Sequence, residues 1–238
     1  MATINLLYEK EYPINDSIKI VIPTVEQVLK NEDGYYSVVS SLTSMPIDMM
    51  VSLDDAGIDF TTINAYELFL ILFNGIKSQD TSLVFGSLDL TKFEIYIDNQ
   101  SGAAVLYDSE NDIKIDRAVY EKISSVMRMI HHIEKNNRKA GNDEAKKYLI
   151  ERERKKLNRR KKASQKSQIE TLIVAMVNTE QFKYNYDSVK QLSIYQFNES
   201  VQQIVSKVDY EHKMHGVYAG TINVKDLSQD DFNWLEHK

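Results

Sequence analysis

The sequence contains no cysteine. Disulfides, thiolate metal sites and cysteine nucleophiles are excluded with it, and the usage suits a reducing compartment. Proline is scarce, at three residues, and there are only eight glycines among 238 residues, which excludes collagen-like and low-complexity chains. Gly86, Gly102 and Gly220 stand alone, so no Walker-type or dinucleotide phosphate loop can be assembled around them. A G-x-S-x-G elbow, an H-E-x-x-H pair and a D-x-[DN]-x-[DN]-G calcium loop are likewise missing. The longest apolar run, "LFLILF" at residues 68–73, falls far short of the ~20 residues of a membrane span and reads as a buried helix. The opening "MATINLLYEKEYPIND" has neither the basic stretch nor the apolar core of a secretory signal. Enzyme is therefore the least supported class, and no catalytic residue, metal ligand, cofactor or membrane partner is assigned.

What is present is the usage of a soluble globular protein, 42% apolar and 27% charged, long enough for one large domain or two small ones. Fourteen tyrosines accompany a single tryptophan, which favours half-buried rings with a polar tip. Charge is unevenly spread. Residues 146–166 hold eleven Lys/Arg against two Glu, a net of +9, whereas the rest hold 18 basic and 33 acidic side chains, a net of −15. A basic island sits in an acidic protein.

Patterning along the chain predicts an α+β fold. Residues 5–8 and the alternating Ile18, Ile20 and Ile22 read as a hairpin about "INDS". Thr24 with Gln27 and Asn64 with Glu67 are capping boxes, Pro46 opens a short helix that Gly57 closes, and "EDG" at 32–34 reads as a break. Phe93, Ile95 and Ile97, then 105–107, then "IKI" predict a small antiparallel sheet. Asp116 opens a helix whose apolar face is Val119, Ile123, Val126, Met127 and Ile130. Two further amphipathic helices carry Ile169, Leu172, Ile173, Met176 and Val177, then Ile194, Phe197, Val201, Ile204, Val205 and Val208, and "MHGVYAGTINV" reads as strand-like. The implied organisation is a mixed α+β domain at 1–134, a linker with a basic helical arm at 135–165, and a mainly helical part at 166–238.

The basic block is helical on local grounds. Asp143 and Glu144 sit at its start and Lys/Arg crowd its end, matching the macrodipole. Glu151 with Lys155 and Glu153 with Lys156 are spaced for ion pairs. With Leu157 the only apolar residue beyond Arg152, this stretch is expected to project into solvent. Arg152, Arg154, Lys155, Lys156, Arg159, Arg160, Lys161 and Lys162 then form a charged arm that meets an acidic protein surface, in a partner or in a second copy. The alternative is nucleic-acid binding by 152–162 through phosphate contacts. No aromatic residue lies between Lys155 and Gln181 to add a stacking platform, and no recognised nucleic-acid motif accompanies the block. A second, apolar partner surface is expected at Ile173, Met176, Val201 and Ile204.

His131 and His132, and His212 with His215, lack metal-site spacing and are expected to be ordinary surface or interface residues. Asp108, Asp112 and Asp116 read as turn and cap residues. Met45, Met49, Met50, Met127, Met129 and Met176 fit core positions better than an adaptable groove.

The stretches "VSLDDAGIDFTTINAYELFLILF", "SLVFGSLDL", "GNDEAKKYLIERERKK", "LIVAMVNTEQFKYNY", "LSIYQFNESVQQI" and "HGVYAGTINV" together resemble proteins from the tail-gene modules of phages infecting Gram-positive bacteria. These are tail assembly chaperones or tail and baseplate morphogenesis proteins. The resemblance spans roughly residues 5–235. It implies a non-enzymatic helper in the host cytoplasm or in the virion, with the tape-measure, tail-tube or baseplate proteins as partners and self-association as a further option. Length and the basic arm depart from the usual tail chaperone. The family pattern supplies no catalytic residue to carry over.

Overall fold

The computed structural model describes residues 5–98, 102–160 and 167–235, and it is α+β: among these residues, nine α-helices surround two small antiparallel sheets. β1 (Glu11–Pro13) and β2 (Lys19–Val21) form the first hairpin. Its turn is held by Asn15, whose Oδ1 accepts the Ser17 and Ile18 N–H groups. Residues 5–8, expected to be the first strand, are instead a turn in which Asn5 Oδ1 accepts the Leu7 N–H. The tight turn after Pro13 leaves the residues beside it to pair, and the asparagine side chain competes for the backbone further back.

α1 (Val25–Lys30) and α4 (Ala65–Lys77) begin at the two predicted capping boxes. Between them lie α2 (Glu32–Thr43) and α3 (Met50–Asp55), the latter entered through a 3-10 turn at Pro46–Met49 and closed at Gly57 with φ +73. "EDG" is no break; it is the first turn of α2, and the chain kinks one residue earlier at Asn31. After α5 (Ser82–Phe85), strands β3 (Glu94–Ile97), β4 (Ala104–Asp108) and β5 (Ile113–Ile115) form a meander in that order. Phe93 is buried, but Ile95 and Ile97 stay exposed because β3 is an edge strand that leaves the core beyond Phe93. The Tyr66 hydroxyl sits 3.0 Å from the carbonyl oxygens of both Ala104 and Ile115, clamping α4 to this sheet.

α6 (Arg117–His131) starts at the Asp116 cap as predicted. α7 (Asp143–Arg160), α8 (Gln168–Val177) and α9 (Ile194–Tyr218) follow. The main core takes Leu42, Phe69, Phe73 and Met127 from the first part and Ile169, Ile173, Ile194 and Phe197 from the last. Chain on both sides of α7 therefore builds one apolar interior. Two backbone bonds reinforce this, from Val25 N–H to the Leu192 carbonyl at 2.9 Å and from Ile194 N–H to the Pro23 carbonyl at 2.8 Å. Glu32 of α2 also accepts the first N–H groups of α8, from Gln168 and Ile169, where a carboxylate suits the helix dipole. "MHGVYAGTINV" forms no strand: α9 runs through it to Tyr218, and the chain turns at Gly220.

Candidate partner-binding surfaces

α7 lies on a smaller apolar cluster of its own, apart from the main core. Asn142 opens it by accepting the Ala145 N–H at 2.7 Å. Its inward face carries Leu149, Ile150, Glu153, Arg154 and Leu157. Ile150 is buried with Ile47, Met50, Leu53 and Leu68 of the α3 and α4 region, and Leu149 and Leu157 pack half-buried beside it. Charge lines the same contact. Arg154 places one nitrogen 2.6 Å from Asp55 and another 2.8 Å from Asp54, and Lys146 reaches Asp59 at 2.7 Å. The Lys146 hydrogen bond, helped by Thr61, brings the Asp59 carboxyl down to about 2. The bond to Asp55 raises Arg154, and the bond to Asp59 raises Lys146.

The expectation that everything beyond Arg152 projects into solvent is therefore corrected. Arg154 and Leu157 fall one turn and two turns beyond Ile150, on the docked side. The acidic protein surface that Arg154 meets belongs to its own chain. Asp54-Asp55 was visible in the sequence as an acidic pair, but a single sequence holds no signal that joins it to Arg154.

Arg152, Lys155 and Arg159 are exposed on the opposite face and make no ion pair among the described residues. Lys155 does not form the expected pair with Glu151, whereas Lys156 does reach Glu153, at 3.4 Å. Arg160 ends the helix, and Lys161 and Lys162 lie outside the described residues. Tyr148, 64% exposed, stands on the same face as Arg152, Lys155 and Arg159. Its i, i+4, i+7, i+11 spacing to them is legible in the sequence, but Tyr148 precedes the charges, where an aromatic between Lys155 and Gln181 would have followed them.

Of the four apolar candidates, Ile173 and Met176 are buried in the main core and face no partner; α8 presses this side inward. Val201 and Ile204 are half-buried against the edge of that core. Beyond Phe197, no described residue is buried. The second half of α9 is instead braced by the tail that follows it. Lys213 pairs with Asp209 and Asp231, each at 2.6 Å, and Gln203 donates to the Trp234 carbonyl at 3.0 Å. Lys213, with Ser228, holds the Asp231 carboxyl at about 2. Val205, Tyr218, Val224, Phe232 and Leu235 are left in water.

The histidines and Asp108 have structural partners or stand in the open. His131 is half-buried: its Nε2 lies 2.9 Å from the Tyr35 hydroxyl, and burial, then the neighbouring His132, pushes its pKa down to about 4. His132 takes the left-handed position that ends α6 and lies 3.4 Å from Glu199. His212 and His215 are exposed on α9. Asp108 is buried and accepts the Glu110 and Asn111 N–H groups, holding the turn before β5. Among the described residues, no three His, Asp or Glu side chains gather as a metal site, and no helix is long and apolar enough to cross a membrane.

Residues 160–238, the end of α7 with α8, α9 and the tail, match the family model of the YomV second domain. That family is phage-derived, of Bacillus prophage type. The match suggests a phage protein. No curated protein and no solved structure matches the chain. The matched segment contains the whole α9 unit with its water-exposed apolar residues, while most of α7 precedes it.

Proposed function

We propose that this chain is a phage tail or baseplate assembly protein that acts through protein contacts, without chemistry of its own, on a partner such as the tape-measure protein. The observation that carries this reading is the α9 unit. A 25-residue helix buries Ile194 and Phe197 in the core and half-buries Val201 and Ile204 at its edge, while Val205 and Tyr218, like Phe232 and Leu235 of the tail, are left in water. Exposed apolar side chains on the helix and its tail suit contacts with a protein partner, which would cover them. The phage-type match over the same residues supports the setting, and the resemblance of the quoted stretches to tail-module proteins supports the role.

Co-expression with the tape-measure, tail-tube and baseplate proteins of the same phage tests it. One of them is expected to copurify with the parent. A Val205→Asp, Leu235→Asp variant is expected to fold normally and lose that partner, because a carboxylate resists desolvation at an apolar contact. A parent protein that copurifies with none of them would remove the reading.

A further inference from the structure

We propose that the outer face of α7 binds the phosphodiester backbone of a single-stranded nucleic acid. This goes beyond the assembly role, which runs through α9, and rests on a different part of the molecule.

The two faces of α7 have different chemistry. The inner face has what a protein contact needs: Ile150, Leu149 and Leu157 provide an apolar centre, and Lys146 and Arg154 are neutralised by Asp59, Asp54 and Asp55 at its rim. The outer face has cations without an apolar centre. Tyr148, Arg152, Lys155 and Arg159 fall within a sector of about 60° and span about 16 Å along the axis, from the pitch of an α-helix. Lys147, Glu151, Lys156 and Asn158 beside this row are polar and exposed, as is Glu144 one turn before Tyr148. A protein interface is organised round a desolvated core with a polar rim, which this face lacks. A phosphate polymer needs only a row of cations to displace its counterions.

Tyr148 points to the kind of strand. A ring 64% exposed, one turn before Arg152, can stack on an unpaired base while the cations beyond it hold phosphates. A duplex would leave that ring unused. Docking of the inner face also fixes the outer row before any ligand arrives, which lowers the ordering cost of binding. The acidic remainder of the molecule, with its net of −15, opposes a polyanion at long range, so binding is expected at low salt and should weaken steeply as salt rises.

The experiment is fluorescence anisotropy of the full chain with a labelled single strand of mixed sequence and with the matching duplex. Three phosphate contacts predict an affinity loss of about 20-fold between about 50 and 200 mM salt for the single strand. Arg152→Gln, Lys155→Gln and Arg159→Gln together are expected to weaken binding at least tenfold and flatten that salt dependence, with an unchanged circular dichroism spectrum. Tyr148→Ala is expected to weaken single-strand binding about fivefold or more and leave duplex binding alone. Lys190→Gln, an exposed cation elsewhere, is the unchanged control. The proposal is overturned by absent binding at the lower salt, by binding that survives the triple substitution, or by indifference of the single strand to Tyr148→Ala. Polyglutamate displacing the strand as well as unlabelled nucleic acid does would also overturn it, assigning the row to acidic protein.

Discussion

Arg154 donates to Asp55 at 2.6 Å across ninety-nine residues of sequence, and a second nitrogen of the same guanidinium reaches Asp54. With Lys146 on Asp59, this contact lays α7 over α3 on a small cluster, with irregular chain before the helix. The latch is exposed to solvent, and salt screens exposed pairs.

Arg154→Gln is therefore expected to speed amide exchange in residues 146–157 several-fold at low salt, with the difference shrinking at high salt. The melting temperature should hardly move, because the main core is untouched and opening of α7 is local. Ile150→Ala should free the helix further, with a cost of about 2 kcal/mol for a buried aliphatic in a small cluster. Hydrogen-exchange mass spectrometry reads both. Unchanged exchange in α7, or a large drop in global melting for Arg154→Gln, would contradict the docking described.

Ile173 and Val201 looked equivalent on the helical faces of the sequence, and the structure separates them. Ile173 is 6% exposed in the main core, whereas Val201 sits half-buried at its edge. A carboxylate at 173 has no partner there, and its burial cost rivals a total stability of about 5–15 kcal/mol. Ile173→Asp is expected to give insoluble or unfolded protein, while Val201→Asp stays folded with a lower melting point. Soluble, cooperatively melting Ile173→Asp would show that α8 is not held in the core.

The parts legible in the sequence were those governed by local chemistry. Thr24–Gln27, Asn64–Glu67 and Asp116 mark helix starts because a side chain must satisfy nearby N–H groups, and all three do so. The β3–β5 meander followed from alternation and turn residues. What escaped depends on distant partners. Nothing near Arg154 announces Asp54, and nothing near His131 announces Tyr35. The first strand was misplaced because Asn5 and Asn15 both offer turn chemistry, and only tertiary burial of Ile18 and Ile20 sets the register. Residues 214–224 read as a strand from their β-branched content, but α9 overrides that local preference through Gly216, over which Ile222 folds back. The docking surface on α7 was half legible: its charge was plain, and its division into two faces needed Ile150 to be placed.

Two glycines inside helices give opposite expectations for the same substitution. A Cβ at Gly34 would meet the Asn31 side chain at 2.5 Å, but Asn31 is exposed and makes no capping bond, so it can swing away. Gly34→Ala should then gain part of the ~1 kcal/mol by which alanine exceeds glycine in a helix. A Cβ at Gly216 would meet Ile222 at 2.6 Å. Ile222 cannot leave so freely, because its N–H bonds the Gly216 carbonyl and the tail turns there. Gly216→Ala should bring no gain in thermal stability and should raise proteolysis of the tail after Tyr218. Equal stabilisation by both substitutions would refute the packing assigned to Ile222.

His131 sets the acid response. Folded, its pKa is about 4 instead of 6.5, through burial and then His132, while the Tyr35 hydroxyl bonds the neutral ring and Tyr36 packs against it. Above about pH 6.5 both states are neutral and the histidine adds no pH dependence. Between 6.5 and 4 the unfolded chain takes up a proton that the fold refuses, so stability falls as pH falls, by roughly 2–3 kcal/mol between pH 7 and 4.5. Asp59 and Asp231, held at about 2, act in a separate window: their contribution is complete above the ordinary carboxylate range near 3.8 and is lost below it. His131→Gln can still bond the Tyr35 hydroxyl through its amide group, yet it does not titrate. Urea midpoints at pH 7, 5.5 and 4.5 should therefore decline in the parent and stay nearly level in this variant. Parallel declines would mean that the imidazole is protonated within the fold.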